Sequence, residues 1–263
     1  MAGWESGVLK PIQSNENRSR NRACERCLKG EESVRTRAKD RIAGGAVVDF
    51  INPDYPSPGL VESLGRAGVD AIFIDCEHGS PDFERVEEMA RAARLTGAAA
   101  IVRPMAAAGA LMTRYLERGI DGLIVPHVDD AETARAVVET IRHARWRDHE
   151  DVIFMAQVES VRAIDNLPEL LAVEGIDVYF IGPGDLSQDM GHAGELAHAE
   201  VEAQIQRARE AILGADKCAG ILVNPETVAR RVEEGFRVLY EHANTFIRRG
   251  VGAMRASAGV EKA

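Results

Sequence analysis

Apolar residues recur along the chain as short continuous runs, separated by longer segments in which apolar and polar positions follow helical spacing. The runs are residues 46–51, 69–75, 98–104, 122–126, 152–159, 178–182, 219–223 and 236–242. They are apolar nearly throughout instead of at every second position, which is typical of parallel strands buried on both faces. The pattern therefore predicts eight parallel strands.

The segments between the runs predict helices. Residues 82–97 (DFERVEEMARAARLTG) are amphipathic, follow Pro81 and end at Gly97, as the boundaries of a helix should. A second amphipathic segment covers residues 129–146, and a last helix is expected from Ala243. Eight strands that alternate with helices are what a (β/α)8 TIM barrel requires, so the sequence predicts this α/β fold.

The beginning of the chain does not follow this pattern. Residues 1–32 are polar, basic and without apolar periodicity, which predicts a flexible arm ahead of a single barrel domain over residues 33–263 with a C-terminal helix. Cys24 and Cys27 in the arm have the CxxC spacing found in metal and redox sites. A second pair of ligands does not follow nearby, so a tail with two thiols is the preferred interpretation.

The composition narrows the classes of protein that remain. A chain of 263 residues with 45% hydrophobic residues has the size and the apolar content of one (β/α)8 barrel. The net charge of −10 argues against a nucleic-acid partner, and the lack of a long apolar run argues against a membrane-spanning segment. With four cysteines and no secretory signal, the chain is expected to be a cytoplasmic protein.

Polar side chains cluster at the C-terminal ends of the predicted strands, where barrels of this type carry their chemistry. The residues at these ends are Asp75, Glu77, His78, Arg103, His127, Gln157, Glu159, Asp185, Asn224, Glu241 and His242. A turn explains one polar residue at a strand end, but it does not explain so many on the same rim. The sequence therefore predicts an active site at this end of the barrel.

Glu159 and Asp185 follow neighbouring predicted strands, which lie about 4.8 Å apart in a sheet. Two unpaired carboxylates at about 4 Å repel by about 4 kcal/mol at an effective dielectric of about 20. A divalent cation removes this repulsion, and oxygen ligands suit Mg²⁺ or Mn²⁺. The alternatives are a structural carboxylate and a glycosidase-like pair that shares a proton, although aromatic residues for stacking on sugars are only 5% of the chain.

His78 and Arg103 are the candidates for proton transfer and charge stabilisation. His78 directly follows Glu77 on the same rim as the predicted metal site, which makes it a candidate acid–base group. Arg103 ends the third strand, and its guanidinium suits a carboxylate or a developing enolate. The alternative for Arg103 is a structural salt bridge to Asp75 or Glu77.

Five motifs give the chain a family resemblance. They are IDCEHGS (74–80), IVRP (101–104), YLERGIDGLIVPHV (115–128), AQVES (156–160) and VEGIDVYFIGPGDLSQDMG (173–191). Over residues from about 40 to about 250, the chain resembles the HpcH/HpaI aldolase family of metal-dependent class II pyruvate aldolases. The resemblance implies a (β/α)8 barrel assembled as a homo-oligomer, usually a hexamer with an exchanged C-terminal helix. It also implies a divalent metal ion, Mg²⁺ or Mn²⁺, with Co²⁺ as a further option.

The resemblance also assigns roles to individual residues. It implies that the metal ligands are Glu159 and Asp185, and that the catalytic residues are His78, Arg103, Asp75 and Glu117. It implies that the 2-oxo acid is bound by Arg103, Gln157, Gly182, Pro183 and Gly184. The chain departs from the family by its additional N-terminal arm and in three further places. Glu117 replaces an aspartate that partners the histidine, the link before the fifth strand is short, and the eighth strand ends in YEHANTF.

The expected reaction is the cleavage or formation of 2-oxo-4-hydroxy acids through the enolate of pyruvate or hydroxypyruvate and an aldehyde. A Schiff-base mechanism is not available to strands two to six, because the sequence has no lysine between Lys39 and Lys217. One alternative on the same scaffold is a lyase for malyl-CoA or citramalyl-CoA thioesters, and another is an oxaloacetate decarboxylase. An alternative of another class is a catalytically inactive barrel that serves in binding or assembly.

Overall fold

A computed structural model describes residues 37–259, and within that range eight strands alternate with helices. The strands are β1 (Val48–Asn52), β2 (Ala71–Asp75), β3 (Ala99–Arg103), β4 (Gly122–Val125), β5 (Ile153–Val158), β6 (Val178–Ile181), β7 (Ala219–Leu222) and β8 (Val238–His242). All eight predicted strands are confirmed. The predicted arm over residues 1–32, with Cys24 and Cys27, lies outside the described residues.

At least one helix follows each strand, and local sequence signals bound some of these helices. They are α1 (Arg37–Ala43), α2 (Pro58–Arg66), α3 (Phe83–Thr96), α4 (Gly109–Leu116), α5 (Ala131–Ala144), α6 (Val161–Asp165), α7 (Leu167–Leu170), α8 (Pro183–Asp189), α9 (Ala199–Gly214), α10 (Val228–Glu233) and α11 (Ala243–Ser257). In α3, the Asp82 side chain accepts the Arg85 N–H at the N-terminus, and Gly97 ends the helix with φ of 79°. Each helix between residues 37 and 259 falls short of the length and apolar character that crossing a bilayer demands.

The sheet is a closed barrel in which each strand pairs in parallel with the next and β8 pairs with β1. The register places Asp75 beside Arg103, and Asn52 beside His242. The predicted (β/α)8 TIM barrel is therefore confirmed. Because all strands run in one direction, their C-terminal ends form a single rim, which we call the mouth.

Aromatic rings fill the barrel interior beneath the mouth. The ring centroids of Phe73 and Tyr240 are 4.8 Å apart, those of Phe50 and Phe73 are 5.0 Å apart, and those of Phe180 and Tyr240 are 6.1 Å apart. Such tilted and edge-on contacts are the preferred geometries of aromatic pairs. These four rings close the barrel interior below the mouth. Among them, only Tyr240 carries a polar group, its hydroxyl.

Helix α1 lies against the opposite end of the barrel. Its Ala38 and Ile42 pack into the same apolar cluster as the barrel interior. Lys39 Nζ donates to the Val152 carbonyl oxygen over 2.8 Å and to the Asp177 carboxylate over 2.6 Å, at positions that precede β5 and β6. These contacts close the N-terminal end of the barrel and leave the mouth as the accessible end.

Replacing Lys39 with methionine is expected to lower the free energy of unfolding by about 2 to 4 kcal/mol. The side chains of Lys39 and Asp177 are only 11% and 21% exposed, so the substitution leaves a largely buried carboxylate without its cation. Urea-induced unfolding measures the loss. Arg66→Met is the matched control, because its ion pair with Glu62 is on the surface and is worth under about 1 kcal/mol. Equal losses in the two variants would contradict an anchoring role for α1.

Candidate active site

Asp75 and Arg103 form a bidentate ion pair at the mouth. Arg103 Nε donates to Asp75 Oδ1 over 2.9 Å and Nη2 donates to Oδ2 over 2.7 Å, while Nε lies 3.1 Å from Glu77 Oε2. Burial favours a higher pKa for Asp75, but the hydrogen bonds and charge of Arg103 outweigh it and hold the pKa below its usual value. The salt bridge that the sequence raised as the alternative for Arg103 is therefore present, and it fixes the plane of the guanidinium.

Asp75 also shapes the loop that carries His78. Its Oδ1 accepts the backbone N–H groups of Glu77 and His78 over 3.0 and 3.3 Å. The His78 side chain is 67% exposed, and its Nε2 lies 3.8 Å from Glu77 Oε2. His78 is thus at the mouth, as predicted, but its imidazole has no carboxylate at hydrogen-bond distance within the described residues.

Glu117 does not join this group within one chain. It is an exposed residue directly after α4, ahead of β4. Asp121, just beyond it, accepts the backbone N–H of Ala100 near the start of β3. The start of β3 is at the N-terminal end of the barrel, whereas Arg103 ends that strand at the mouth. A helix that follows a barrel strand returns the chain to the N-terminal end of the barrel, so Glu117 lies away from the mouth and from His78.

Glu159 is a buried acid at the end of β5, with a side chain that is 1% exposed. Its Oε1 accepts the His127 backbone N–H over 2.8 Å, and its Oε2 accepts Gln157 Nε2 over 2.7 Å. His127 has φ of 52°, a left-handed conformation that is rare outside glycine, and its Nδ1 lies 3.3 Å from Glu159 Oε1. Within the described residues, no arginine or lysine pairs with this carboxylate.

Burial raises the pKa of Glu159 to about 7. The hydrogen bond and the charge of His127 act to lower this pKa, whereas the nearby charges of Asp185 and Glu77 act to raise it. Asp185 lies in the first turn of α8 and is partly exposed. Gln157 Oε1 is buried and has no hydrogen-bond partner among the described residues. A buried carboxylate, a second acid and an unpaired amide oxygen are a donor set that fits a divalent cation with oxygen ligands.

Gly182 is required at the end of β6 because the Glu159 side chain passes close to it. A Cβ at position 182 would lie 2.8 Å from Glu159 Oε2 and 2.9 Å from Glu159 Cβ, closer than real Cβ contacts. Pro183 then begins α8, whose first turn holds Asp185 close enough for its charge to raise the pKa of Glu159. The predicted pair of acids, Gln157 and the GPGD turn are therefore assembled on one side of the mouth.

A cavity of about 200 Å³ lies in the mouth over the ends of β1, β2 and β8. Its polar lining includes Asn52, Asp54, Asp75, His78 and His242. Asp54 carries no motif in the sequence, and a histidine at a strand end such as His242 is a weak signal by itself. His242 Nδ1 lies 2.6 Å from Asp54 Oδ1. This contact depends on the closure of β8 onto β1, which the sequence pattern predicts only in general terms.

A second group of potential metal ligands lies in and after the loop between α8 and α9. The ligand atoms of His192, His198 and Glu200 lie within 4.8 Å of one another, and the two imidazole rings stack with centroids 3.6 Å apart. All three residues are at least partly exposed. They are distinct from Glu159 and Asp185, so a metal-binding measurement on this chain has to separate the two groups.

Comparison with known proteins gives consistent results. The family model described as HpcH/HpaI aldolase/citrate lyase matches residues 54–257. The chain is 33% identical to a hydroxypyruvate/pyruvate aldolase of Pseudomonas aeruginosa, over 75% of this chain and 82% of that protein. It is 34% identical to a 4-hydroxy-2-oxo-heptane-1,7-dioate aldolase of Klebsiella pneumoniae subsp. pneumoniae, over 74% of this chain and 83% of that protein. The structure of an HpcH/HpaI aldolase/citrate lyase family protein from Burkholderia cenocepacia J2315 matches this chain with a TM-score of 0.77 and 25% sequence identity. The match covers 84% of this chain and 98% of that structure.

Proposed function

The chain belongs to the HpcH/HpaI aldolase/citrate lyase family, and we propose that it cleaves and forms 4-hydroxy-2-oxo acids through the enolate of pyruvate or hydroxypyruvate. This is a carbon–carbon lyase reaction of the class II aldolase type, and the two relatives reported above are named aldolases. The single observation that carries the proposal is the acidic pocket at the ends of β5 and β6, in which Glu159 is buried near Asp185 and pairs with no arginine or lysine among residues 37–259.

Glu159 and Asp185 hold the divalent metal ion in this proposal. The oxygen donor set favours Mg²⁺ or Mn²⁺, with Co²⁺ as a further option. When bound, the ion supplies Lewis-acid stabilisation of the negative charge that develops on the 2-oxo acid. Gln157 and the Gly182–Gly184 segment border the same pocket and are assigned to the carboxylate end of the substrate.

Arg103 stabilises charge on the reacting oxygen, and His78 moves a proton at carbon 3 of the 2-oxo acid. The Asp75 ion pair fixes the guanidinium before substrate binds, so the charge is in place without reorganisation. Nη1 of Arg103 makes no hydrogen bond to a described residue and is the donor assigned to the substrate. The cavity beside His78, at about 200 Å³, suits small aliphatic reactants.

A homo-oligomer, and specifically a hexamer with exchanged C-terminal helices, is part of the proposal. It is supported by the apolar side of α11, where the exposed large hydrophobic residues are Phe246, Ile247, Val251 and Met254. A monomer would leave these side chains in water, and contiguous exposed apolar residues mark interaction surfaces. A cytoplasmic location is also proposed and is supported by the free thiols of Cys76 and Cys218.

The proposal is tested with purified protein that has been stripped of cations by a chelator. Cleavage of 4-hydroxy-2-oxo acids to pyruvate is expected to require added Mg²⁺ or Mn²⁺ and to fall by at least about 100-fold when EDTA is added. The double variant His192→Gln/His198→Gln is the control and is expected to keep this dependence, because its metal-binding group is separate from Glu159 and Asp185.

Three results would contradict the proposal in different ways. Turnover that EDTA leaves unchanged removes the metal ion from the mechanism. Turnover that requires a CoA thioester indicates a malyl-CoA or citramalyl-CoA type of lyase. A folded, metal-loaded protein that is inactive on every 2-oxo acid tried indicates a barrel that serves in binding or assembly.

A further inference from the structure

A closed circuit of hydrogen bonds joins the end of β1 to the end of β8 at the mouth. Asn52 Nδ2 donates to the Tyr240 hydroxyl over 3.0 Å, and this hydroxyl lies 3.2 Å from His242 Nε2. His242 Nδ1 lies 2.6 Å from Asp54 Oδ1, and the Asp54 N–H donates to Asn52 Oδ1 over 2.8 Å. The four side chains therefore fix one another.

The directions of these bonds determine the tautomer of His242. Asp54 Oδ2 accepts the Asn244 backbone N–H over 2.7 Å, so both oxygens of Asp54 are acceptors and His242 Nδ1 carries a proton. In the neutral imidazole, Nε2 then offers its lone pair, and the Tyr240 hydroxyl donates to it while accepting from Asn52. An imidazole with Nδ1–H on a carboxylate and a basic Nε2 is the arrangement of a general base and acid.

Asp54 adopts a strained backbone conformation to make this contact. Its φ of 64° is in the left-handed region, which is unusual for a residue other than glycine. The bonds to Asn52, His242 and Asn244 hold it there. Strained residues of this kind persist where the surrounding contacts over-determine them, and they cluster at functional sites.

The circuit faces the part of the mouth where the aldehyde end of the substrate belongs. Glu159 and Asp185 follow β5 and β6, whereas His242 ends β8, which only β7 separates from β6 around the closed barrel. A substrate held by its 2-oxo acid group near β5 and β6 therefore directs carbon 4 toward the cavity that His242 and His78 both line. The His242 side chain is 39% exposed, so its ring is accessible from this cavity.

We propose that His242, oriented by Asp54 and Tyr240, is the acid–base group for the hydroxyl on carbon 4 of the substrate, an inference that rests on the proposed aldolase function. The substrate hydroxyl takes the place of the Tyr240 hydroxyl at Nε2, whose 3.2 Å bond is the longest in the circuit. In cleavage, Nε2 accepts the hydroxyl proton while the bond between carbons 3 and 4 breaks. Its electron pair forms the enolate, and the oxygen becomes the aldehyde carbonyl.

The proton balance is completed by two further transfers. Carbon 3 of the enolate receives a proton from the His78 side, which gives the 2-oxo acid. The imidazolium of His242 returns its proton to solvent. Condensation uses the same steps in reverse, so His242 is needed only when an aldehyde or its hydroxyl form takes part, and it is not needed for proton exchange at carbon 3.

Two reactions of one enzyme preparation test this division. The first is cleavage of 4-hydroxy-2-oxopentanoate in the presence of Mg²⁺, and the second is exchange of the pyruvate methyl protons in D₂O, followed by NMR without any aldehyde. His242→Gln is expected to lower the kcat of cleavage by about 100-fold or more, while KM and the exchange rate stay within about threefold of wild type. Retained exchange shows that the fold and the 2-oxo acid site are intact.

Two further variants separate chemistry from structure. In His242→Ala, free imidazole is expected to raise the cleavage rate by about tenfold, which a purely structural role would not allow. Asp54→Asn keeps the size of the side chain and tolerates a positive φ, and it is expected to lower kcat by about tenfold at unchanged KM. His143→Gln on the exposed face of α5 is the matched control and is expected to change neither reaction.

The outcomes distinguish this inference from the function on which it rests. If wild-type protein performs both reactions and His242→Gln keeps its cleavage rate within about threefold, the inference is wrong and the aldolase function stands. Loss of cleavage together with exchange in folded His242→Gln also overturns the assigned role. If wild-type protein performs neither reaction, the proposed function itself fails, and the inference fails with it.

Discussion

Replacing Glu159 with glutamine is expected to lower metal-dependent turnover by at least about 1,000-fold, because the metal ion loses its buried carboxylate and with it several kcal/mol of charge stabilisation. The same substitution is expected to raise the stability of the metal-free protein at pH 8. Loss of activity with gain of stability is the signature of a side chain that is retained for chemistry at a cost to folding. Turnover assays and urea-induced unfolding of the two proteins measure the two effects.

The gain in stability depends on pH in a defined direction. The pKa of Glu159 is raised from 4.5 to about 7 in the folded protein, chiefly by burial. The folded state therefore binds an additional proton between these two values, and stability is lost as the pH rises through that range. Glutamine, which cannot ionise, should add about 3 kcal/mol at pH 8 and under about 1 kcal/mol at pH 5.

The site can accept glutamine without raising the number of unpaired groups on the Gln157 amide. Gln157 Nε2 donates to Glu159 Oε2, and Gln157 Oε1 has no partner among the described residues. A flip of the Gln157 amide lets its oxygen accept from the new side-chain amide at position 159. The exposed Glu139→Gln is the matched control and should change stability by under about 0.5 kcal/mol. A destabilised Glu159→Gln protein at pH 8 would contradict the raised pKa.

Replacing Arg103 with lysine is expected to lower kcat/KM by about 100- to 1,000-fold although the positive charge is kept. The guanidinium uses Nε and Nη2 for the two oxygens of Asp75, which leaves Nη1 outside this ion pair. An ammonium group has no planar fork, so it cannot hold Asp75 through two parallel bonds and present a third donor in a fixed position. Steady-state kinetics in the cleavage direction measure the effect.

The control for this prediction is Arg85→Lys, whose ion pair with Glu88 is exposed on α3. It should leave kcat/KM within about twofold of wild type. If Arg103→Lys behaves like this control, the arginine is a structural partner of Asp75 and does not stabilise charge on the substrate. If the loss of kcat/KM in Arg103→Lys lies in kcat, with little change in KM, Arg103 makes its contact with the substrate in the transition state.

The barrel could be predicted from the sequence because its strands are apolar on both faces, which separates them clearly from the amphipathic helices. Arg103 and Asp75 could be placed together in outline, since they end consecutive strands that pair in parallel. Glu159 and Asp185 could be paired for the same reason. The close approach of Glu159 to Gly182 could not be predicted, because it depends on the path of one side chain.

Glu117 and His242 show what a local sequence pattern leaves open. A motif position suggests Glu117 as a partner of His78; within one chain the helix α4 carries Glu117 to the other end of the barrel, so this role stays a prediction. His242 instead has Asp54 at hydrogen-bond distance, although the two residues are 188 positions apart in sequence. Their contact depends on barrel closure and on a left-handed turn at Asp54, and neither leaves a local sequence pattern.

The central claim is that Glu159 and Asp185 together hold one divalent ion at which the 2-oxo acid is activated. Anomalous diffraction from crystals soaked with Mn²⁺ and pyruvate tests it most directly. We expect a single strong anomalous peak between the two carboxylates, with the pyruvate oxygens against it, and loss of that peak in Glu159→Gln crystals. Manganese bound only at His192, His198 and Glu200, with pyruvate elsewhere or absent, would contradict the account.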